Sequence, residues 1–149
     1  MPDVLATARG IVIDKNKMLL IERHRDGRHY YSIPGGHIEP GETIEMALIR
    51  EMREEASIEI APLREVFTLV GGDPEHHIFL CEYVSGEPMI HPDSEEAASN
   101  KLGKNTYDPK WVDIADLPSL ELAPSFTKLL LLNALKDGFP EDAQIHVER

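Results

Sequence analysis

Between Tyr30 and Ile58 the chain reads YYSIPGGHIEPGETIEMALIREMREEASI, which joins a sharply turning loop to a helix with an unusual charge pattern. Gly35, Gly36 and Gly41 stand among Pro34 and Pro40, so the backbone must turn and can come close to a ligand. From Thr43 to about Ala56 no Pro or Gly interrupts the run. Thr43 suits an N-cap, and Glu42 and Glu45 suit the positive end of a helix dipole. At about 100° per residue, Ile44, Ala47 and Leu48 share one sector of this helix, and Glu51, Glu54 and Glu55 continue it. A stripe shaped to face a core therefore turns acidic. Carboxylates at i, i+3 and i+4 destabilise a helix by roughly 0.2–0.5 kcal/mol per pair, and here they also lie toward its negative end. Arg50 and Arg53 offset part of this. A hard divalent cation, Mg²⁺ or Mn²⁺, offsets the rest, because such ions prefer carboxylate oxygens. The bland alternative is a solvated charged face with pairs such as Glu54 with Arg50. The adjoining glycine loop weighs against it.

Loop and helix together follow one spaced pattern. Gly36 is followed by five residues and Glu42, then by seven residues and Arg50-Glu51-Met52, Arg53, Glu54-Glu55, Ala56, Ser57 and Ile58. This resembles the Nudix box at every position except Ser57, which replaces a glycine. Glycine there would ease the helix exit through positive φ, and serine adopts that conformation at some cost. No metal ligand is lost by the change. The resemblance is close over residues 31–58 and looser elsewhere, where PKWVDIADLP matches a common late strand and turn.

The resemblance implies a metal-dependent pyrophosphohydrolase acting on a nucleoside diphosphate linked to another moiety. Candidate substrates are nucleoside triphosphates, oxidised nucleotides, ADP-ribose, nucleotide sugars and dinucleoside polyphosphates. By the same resemblance, Glu51, Glu54 and Glu55 would hold Mg²⁺ or Mn²⁺ with a backbone carbonyl of Gly36 or Gly35. Arg50 would orient the glutamates, and Glu42 would support that network. The general base would be Glu51, or an acidic residue in a distant loop, for which Glu95 and Glu96 are candidates. Arg23, Arg25 and Arg28 in RHRDGRH are candidate phosphate-binding cations, with solvated loop arginines as the alternative. Tyr30, Tyr31, Phe67, Phe79 and Trp111 can stack on a base, yet aromatic residues in strand-like runs are mostly core, and none is assigned to base reading. A non-catalytic nucleotide sensor on the same fold is the competing reading. The intact glutamates count against it.

The flanking sequence supplies the frame. VLATARGIVID and KMLLIER read as strands joined by a polar turn and leading into a basic loop. IEIA, REVFTLV and HHIFLCEYV read as strands divided by Pro62 and by GGDPE. SGEPMIHPDSEEAASNKLGKNTYDP reads as a long loop with a brief turn near Glu95 to Ala98. A last strand follows, and PSFTKLLLLNALKDG reads as a closing helix with Pro124 near its first turn and Gly138 past its end. The expected fold is an α/β (α+β) layered domain over residues 1–149, an α/β/α sandwich with a mixed sheet and the box helix packed beside it.

Composition narrows the partners. Fifteen Lys and Arg against 27 Asp and Glu give a net charge of -12, which argues against binding polymeric nucleic acid and leaves a small nucleotide as the expected substrate. RNA caps are disfavoured by that charge and by the lack of an appended RNA-binding region. One cysteine excludes an internal disulfide, and no apolar run approaches the roughly 20 residues of a membrane span, so a cytoplasmic location is expected. Cys81, inside a strand, reads as a small core hydrophobe rather than a nucleophile. Seven histidines invite a zinc site at His76-His77 or at His24 with His29, but none shows helical ligand spacing, and His76 and His77 read as surface or strand-end residues. The resemblance leaves the oligomeric state open and allows a homodimer, for which the exposed strand edges expected near residues 4 to 13 could serve.

Overall fold

The computed structural model describes residues 5–72, 74–124 and 127–147. Its elements run β1 (Ala6–Asp14), β2 (Lys17–Arg25), β3 (Arg28–Ser32), β4 (Gly35–His37), α1 (Ile44–Ala56), β5 (Glu59–Val70), β6 (Glu75–Ser85), α2 (Glu95–Leu102), β7 (Asn105–Asp113), a 3-10 turn (Ile114–Ser119), β8 (Leu122–Ala123), α3 (Thr127–Asp137) and β9 (Gln144–Val147). The strands form one mixed sheet in the order β8-β3-β2-β1-β6-β5-β9, with β4 on β1 and β7 on β2. The β1–β6, β3–β8 and β5–β9 pairs are parallel and the others antiparallel.

Alternation along the strands builds a core on each face. Ala8, Val12, Leu19, Phe79 and Cys81 meet Ala47, Leu48, Met52 and Ala56 of α1. Ile11, Met18, Leu20 and Ile78 instead meet Leu131 and Ala134 of α3. The expected α/β/α layering follows. Gly10 is the point of closest approach to α1, since a Cβ there would come within 2.5 Å of the Met52 methyl. Cys81 is buried, and that burial pushes its thiol up to about 12, in keeping with an inert core residue. Among the described residues no helix is long and apolar enough to cross a membrane.

Several expectations change. The basic loop RHRDGRH is a hairpin: Arg25 pairs with Arg28 across a two-residue Asp26-Gly27 turn, both residues at positive φ. Pro62 does not divide two strands but lies within the 12-residue β5, where register shifts absorb it. The long polar loop contains the eight-residue α2, capped by Ser94, whose hydroxyl accepts from the Ala97 N–H. β1 is not an edge: over Ala6 to Val12 it pairs with β6, and β4 pairs with Thr7 to Arg9 on its other side. The candidate dimer contact through residues 4 to 13 has no free strand edge there, residue 4 lying outside the described residues. The closing helix spans Thr127–Asp137, and its expected residues 125 and 126 also lie outside them.

Candidate active site

Helix α1 begins at Thr43, whose hydroxyl accepts from the Met46 N–H at 3.1 Å, and ends at Ser57 in the left-handed region (φ 58, ψ 34). Ser57 thus takes the conformation expected of the missing glycine. The segment after β6 then crosses the end of α1, where the Met89 N–H donates to the Ala56 carbonyl at 3.0 Å and the His91 N–H to that of Glu54 at 3.4 Å. These bonds occupy carbonyls that a helix end leaves free, and they carry Ser94 to Glu96 over the acidic face.

The result is an open cleft of about 980 Å³ that Glu51, Glu54 and Glu55 share with Gly35, Gly36 and Arg50. Glu95 and Glu96 line it as well, with Arg9, Arg23, Arg25, Tyr30, His76 and Tyr107. The glutamates differ. Glu55 is buried and has no hydrogen-bond partner among the described residues, whereas the Glu54 side chain is half-exposed. Burial, opposed by Arg9 and reinforced by Glu51 and Glu96, pushes the Glu55 carboxyl up to about 8. Burial likewise raises Glu51, against the hydrogen bond it accepts from Arg50.

Arg50 is the hub of this wall. Its guanidinium donates to Glu42 at 2.7 and 2.9 Å, to Glu51 at 2.9 Å, to Glu54 at 3.1 Å and to the His37 carbonyl at 3.0 Å. That fork holds the Glu42 carboxyl at about 2 and ties the loop to the helix. Gly36 lets the Glu51 carboxyl lie against bare backbone: a Cβ on it would stand 2.5 Å from that carboxyl and push it aside. Even so, the helix carboxylates are not drawn into one tight group of three among the described residues, as expected of like charges facing each other. A buried, unpartnered carboxylate beside two others and a bare glycine backbone is the donor set a hard, water-retaining cation prefers, so the residues fit Mg²⁺ or Mn²⁺.

The sheet contributes cationic and aromatic groups to the cleft. Arg23 donates to the Asn105 side chain at 2.6 Å and the Thr106 carbonyl at 3.1 Å, and lies 3.7 Å from the Tyr107 ring centroid and 5.6 Å from that of Tyr30. Tyr107 is itself held by Asn100 of α2, which accepts from its N–H at 2.6 Å and donates to its carbonyl at 2.8 Å. Of the three candidate arginines, Arg23 and Arg25 reach the cleft. Arg28 pairs with Glu121 at 2.6 Å and lines a separate, smaller cavity.

Sequence reasoning did not find Arg9, His76 or Tyr107. Arg9 is the lone basic residue in a mostly apolar strand, which was a readable signal, and it donates to the Ile33 carbonyl at 2.8 Å. His76 is buried rather than a surface residue. Its Nδ1 meets the Thr7 hydroxyl at 2.6 Å and Arg9 Nε at 3.4 Å. Arginine can only donate, so Nδ1 accepts and the neutral ring carries its proton on Nε2. Burial and then Arg9 lower His76 to about 4, which keeps it neutral.

Comparison with known proteins matches residues 4–131 to the NUDIX domain. The chain is 31% identical over 135 residues to an NAD-capped RNA hydrolase of Pseudomonas putida, covering 88% of this chain and 45% of that protein. It is 33% identical over 109 residues to an ADP-ribose pyrophosphatase of Methanocaldococcus jannaschii, covering 66% of this chain and 64% of that one. The chain thus spans under half the length of the first relative and just under two thirds of the second. A crystal structure of a NUDIX hydrolase from Nitrosomonas europaea superposes with a TM-score of 0.72 at 15% identity, over 99% of this chain and 81% of that one, a likeness of fold.

Proposed function

We propose that this chain, which belongs to the NUDIX domain family, is a metal-dependent pyrophosphohydrolase that cleaves a phosphoanhydride bond in a nucleoside diphosphate linked to another moiety. The observation that carries this reading is a single cleft lined by three helix carboxylates together with Arg9 and Arg23. Residues 1–149 are read as one hydrolase domain, since both cores share β1, β2 and β6.

Glu51, Glu54 and Glu55 would hold the cation, with a carbonyl of Gly36 or Gly35. When bound, Mg²⁺ or Mn²⁺ neutralises charge on the diphosphate and lowers the pKa of the attacking water. Arg50 orients Glu51 and Glu54 while Glu42 and the His37 carbonyl fix Arg50 itself. Arg9, Arg23 and Arg25 grip phosphate oxygens, and His76 offers an Nε2–H donor whose charge state does not change near neutrality. The proton from water goes to Glu51 or Glu96. Glu96 lines the same cleft and its charge raises both Glu51 and Glu55, which supports it as a candidate for the role. The net charge of -12 supports a small substrate over a polyanion. ADP-ribose and NAD-like dinucleotides head the candidates, because the two relatives carry those groups in their names and the cleft has room for two moieties.

The test is hydrolysis of ADP-ribose, dinucleotides, nucleotide sugars, nucleoside triphosphates and oxidised nucleotides, with and without Mg²⁺ or Mn²⁺, beside Glu55→Gln. Metal-dependent cleavage of one group, lost in the variant, supports the reading. Tight binding of a panel member with no cleavage under any metal would replace it with a nucleotide sensor.

A further inference from the structure

The face of the β2–β3 hairpin turned away from the cleft carries a second set of donor groups. Strand alternation sends Arg23 and Tyr30 into the cleft and sends Glu22, His24, His29 and Tyr31 to the other side. The ladder sets His24 opposite His29 and Glu22 opposite Tyr31. The two imidazoles stack with centroids 4.4 Å apart and planes 3° apart, and His29 Nε2 lies 2.7 Å from a Glu22 oxygen. One donor atom from each of Glu22, His24 and His29 lies within 4.8 Å of the other two, and among the described residues no other three His, Cys, Asp or Glu come so close.

We propose that Glu22, His24 and His29 form a binding site for a borderline divalent cation of the Zn²⁺ type, separate from the carboxylate cleft. Two imidazole nitrogens and one carboxylate oxygen, with a fourth position open to water, are a zinc donor set and a poor one for Mg²⁺. Bonds of about 2.0–2.2 Å to a tetrahedral ion place its donors about 3.4 Å apart, so side-chain rotation alone closes the observed spread. The backbone is already fixed, because β2 is paired on both sides by β3 and β7. Outer partners are present as well. The Tyr31 hydroxyl donates to Glu22 at 3.1 Å and Lys110 Nζ at 2.6 Å, which aims the carboxylate, while Asp108 takes part of the Lys110 charge at 3.1 Å.

Helical ligand spacing does not detect this arrangement. His24 and His29 are brought together by the Asp26-Gly27 turn, and Glu22 reaches their face by the two-residue period of a strand.

The test is a Zn²⁺ titration of the full chain by calorimetry in millimolar Mg²⁺, which competes for the cleft. Wild type, His24→Asn, His29→Asn and Glu51→Gln are compared, and Co²⁺ absorption reports tetrahedral geometry. One Zn²⁺ per chain is expected in wild type and in Glu51→Gln. Affinity should fall in each histidine variant by at least the ~10- to 100-fold that loss of an outer-shell partner costs. Zn²⁺ should also raise the thermal midpoint of wild type and not of the histidine variants. No saturable binding, binding unchanged in both histidine variants, or binding lost in Glu51→Gln alone would overturn the site. Because the readout is binding and not hydrolysis, its failure is distinct from failure of the proposed function.

Discussion

Replacing Glu55 with Gln tests whether the acidic helix is built for a cation. In the metal-free chain burial raises this carboxyl from an ordinary 4.5 to about 8. Between those values the folded state holds a proton that the unfolded state has released, so stability is full below 4.5 and is lost as pH rises toward 8. At about 1.4 kcal/mol per pH unit the full interval is worth about 5 kcal/mol, and about 3 kcal/mol is already lost at neutrality. Glutamine keeps the shape and never ionises. Urea denaturation in a chelator at pH 5, 7 and 8.5 should show the stability difference between the two proteins moving steadily in favour of Glu55→Gln as pH rises, since His76 titrates alike in both, so that the variant becomes the more stable protein above neutrality. Mg²⁺ should restore wild type at pH 8.5, since a bound cation stabilises the ionised carboxylate, and should do little for the variant. Hydrolysis should fall by about 100-fold or more. The reasoning fails if the variant is less stable than wild type at pH 8.5 without metal, or if both lose stability in parallel.

The other expectations are simpler. His76 is held down to about 4 from 6.5, so its contribution to stability is present above 6.5 and lost as pH falls toward 4; acid denaturation should show up to about 3 kcal/mol of loss in that window, absent in His76→Asn. Ser57→Gly removes a side chain from a left-handed helix cap (φ 58) and should stabilise the fold by about 1 kcal/mol in thermal melts while leaving hydrolysis unchanged. Gly36→Ala places a methyl 2.5 Å from the Glu51 carboxyl, so hydrolysis should collapse while circular dichroism stays native. Arg23→Ala should raise KM by about 10-fold or more with a smaller change in kcat, measured with whichever substrate the panel identifies.

The acidic wall was legible because everything in it is local. Thr43, Arg50, Glu51, Glu54 and Glu55 lie on one helix, and the 3.6-residue period places them before any tertiary contact is known. The cap at Ser57 was legible for the same reason. The hairpin was missed although its Asp26-Gly27 pair is a strong two-residue turn signal, because the surrounding basic residues read as solvated loop rather than as strand. The helix α2 was missed because eight residues with only Ala97, Ala98 and Leu102 apolar and no buried side chain give no periodicity, and Asn100 anchors it through hydrogen bonds to Tyr107 rather than through a core.

The same difference explains why the chemistry of the cleft is easier to read than its substrate. Arg9 from β1, Arg23 from β2, Tyr30 from β3, His76 from β6 and Tyr107 from β7 come to one cleft only after the sheet is assembled. Each reaches the cleft by a pairing register between segments up to 100 residues apart, and a one-residue slip in any strand would turn its side chain to the opposite face. The hairpin makes this concrete: Arg23 faces the cleft while Glu22 and His24, its immediate neighbours, face away toward His29. One helix sets the glutamates and Arg50, whereas sheet register sets which side chains meet them, so the two can vary separately except where Arg9 and Arg23 act on Glu55 through their charge.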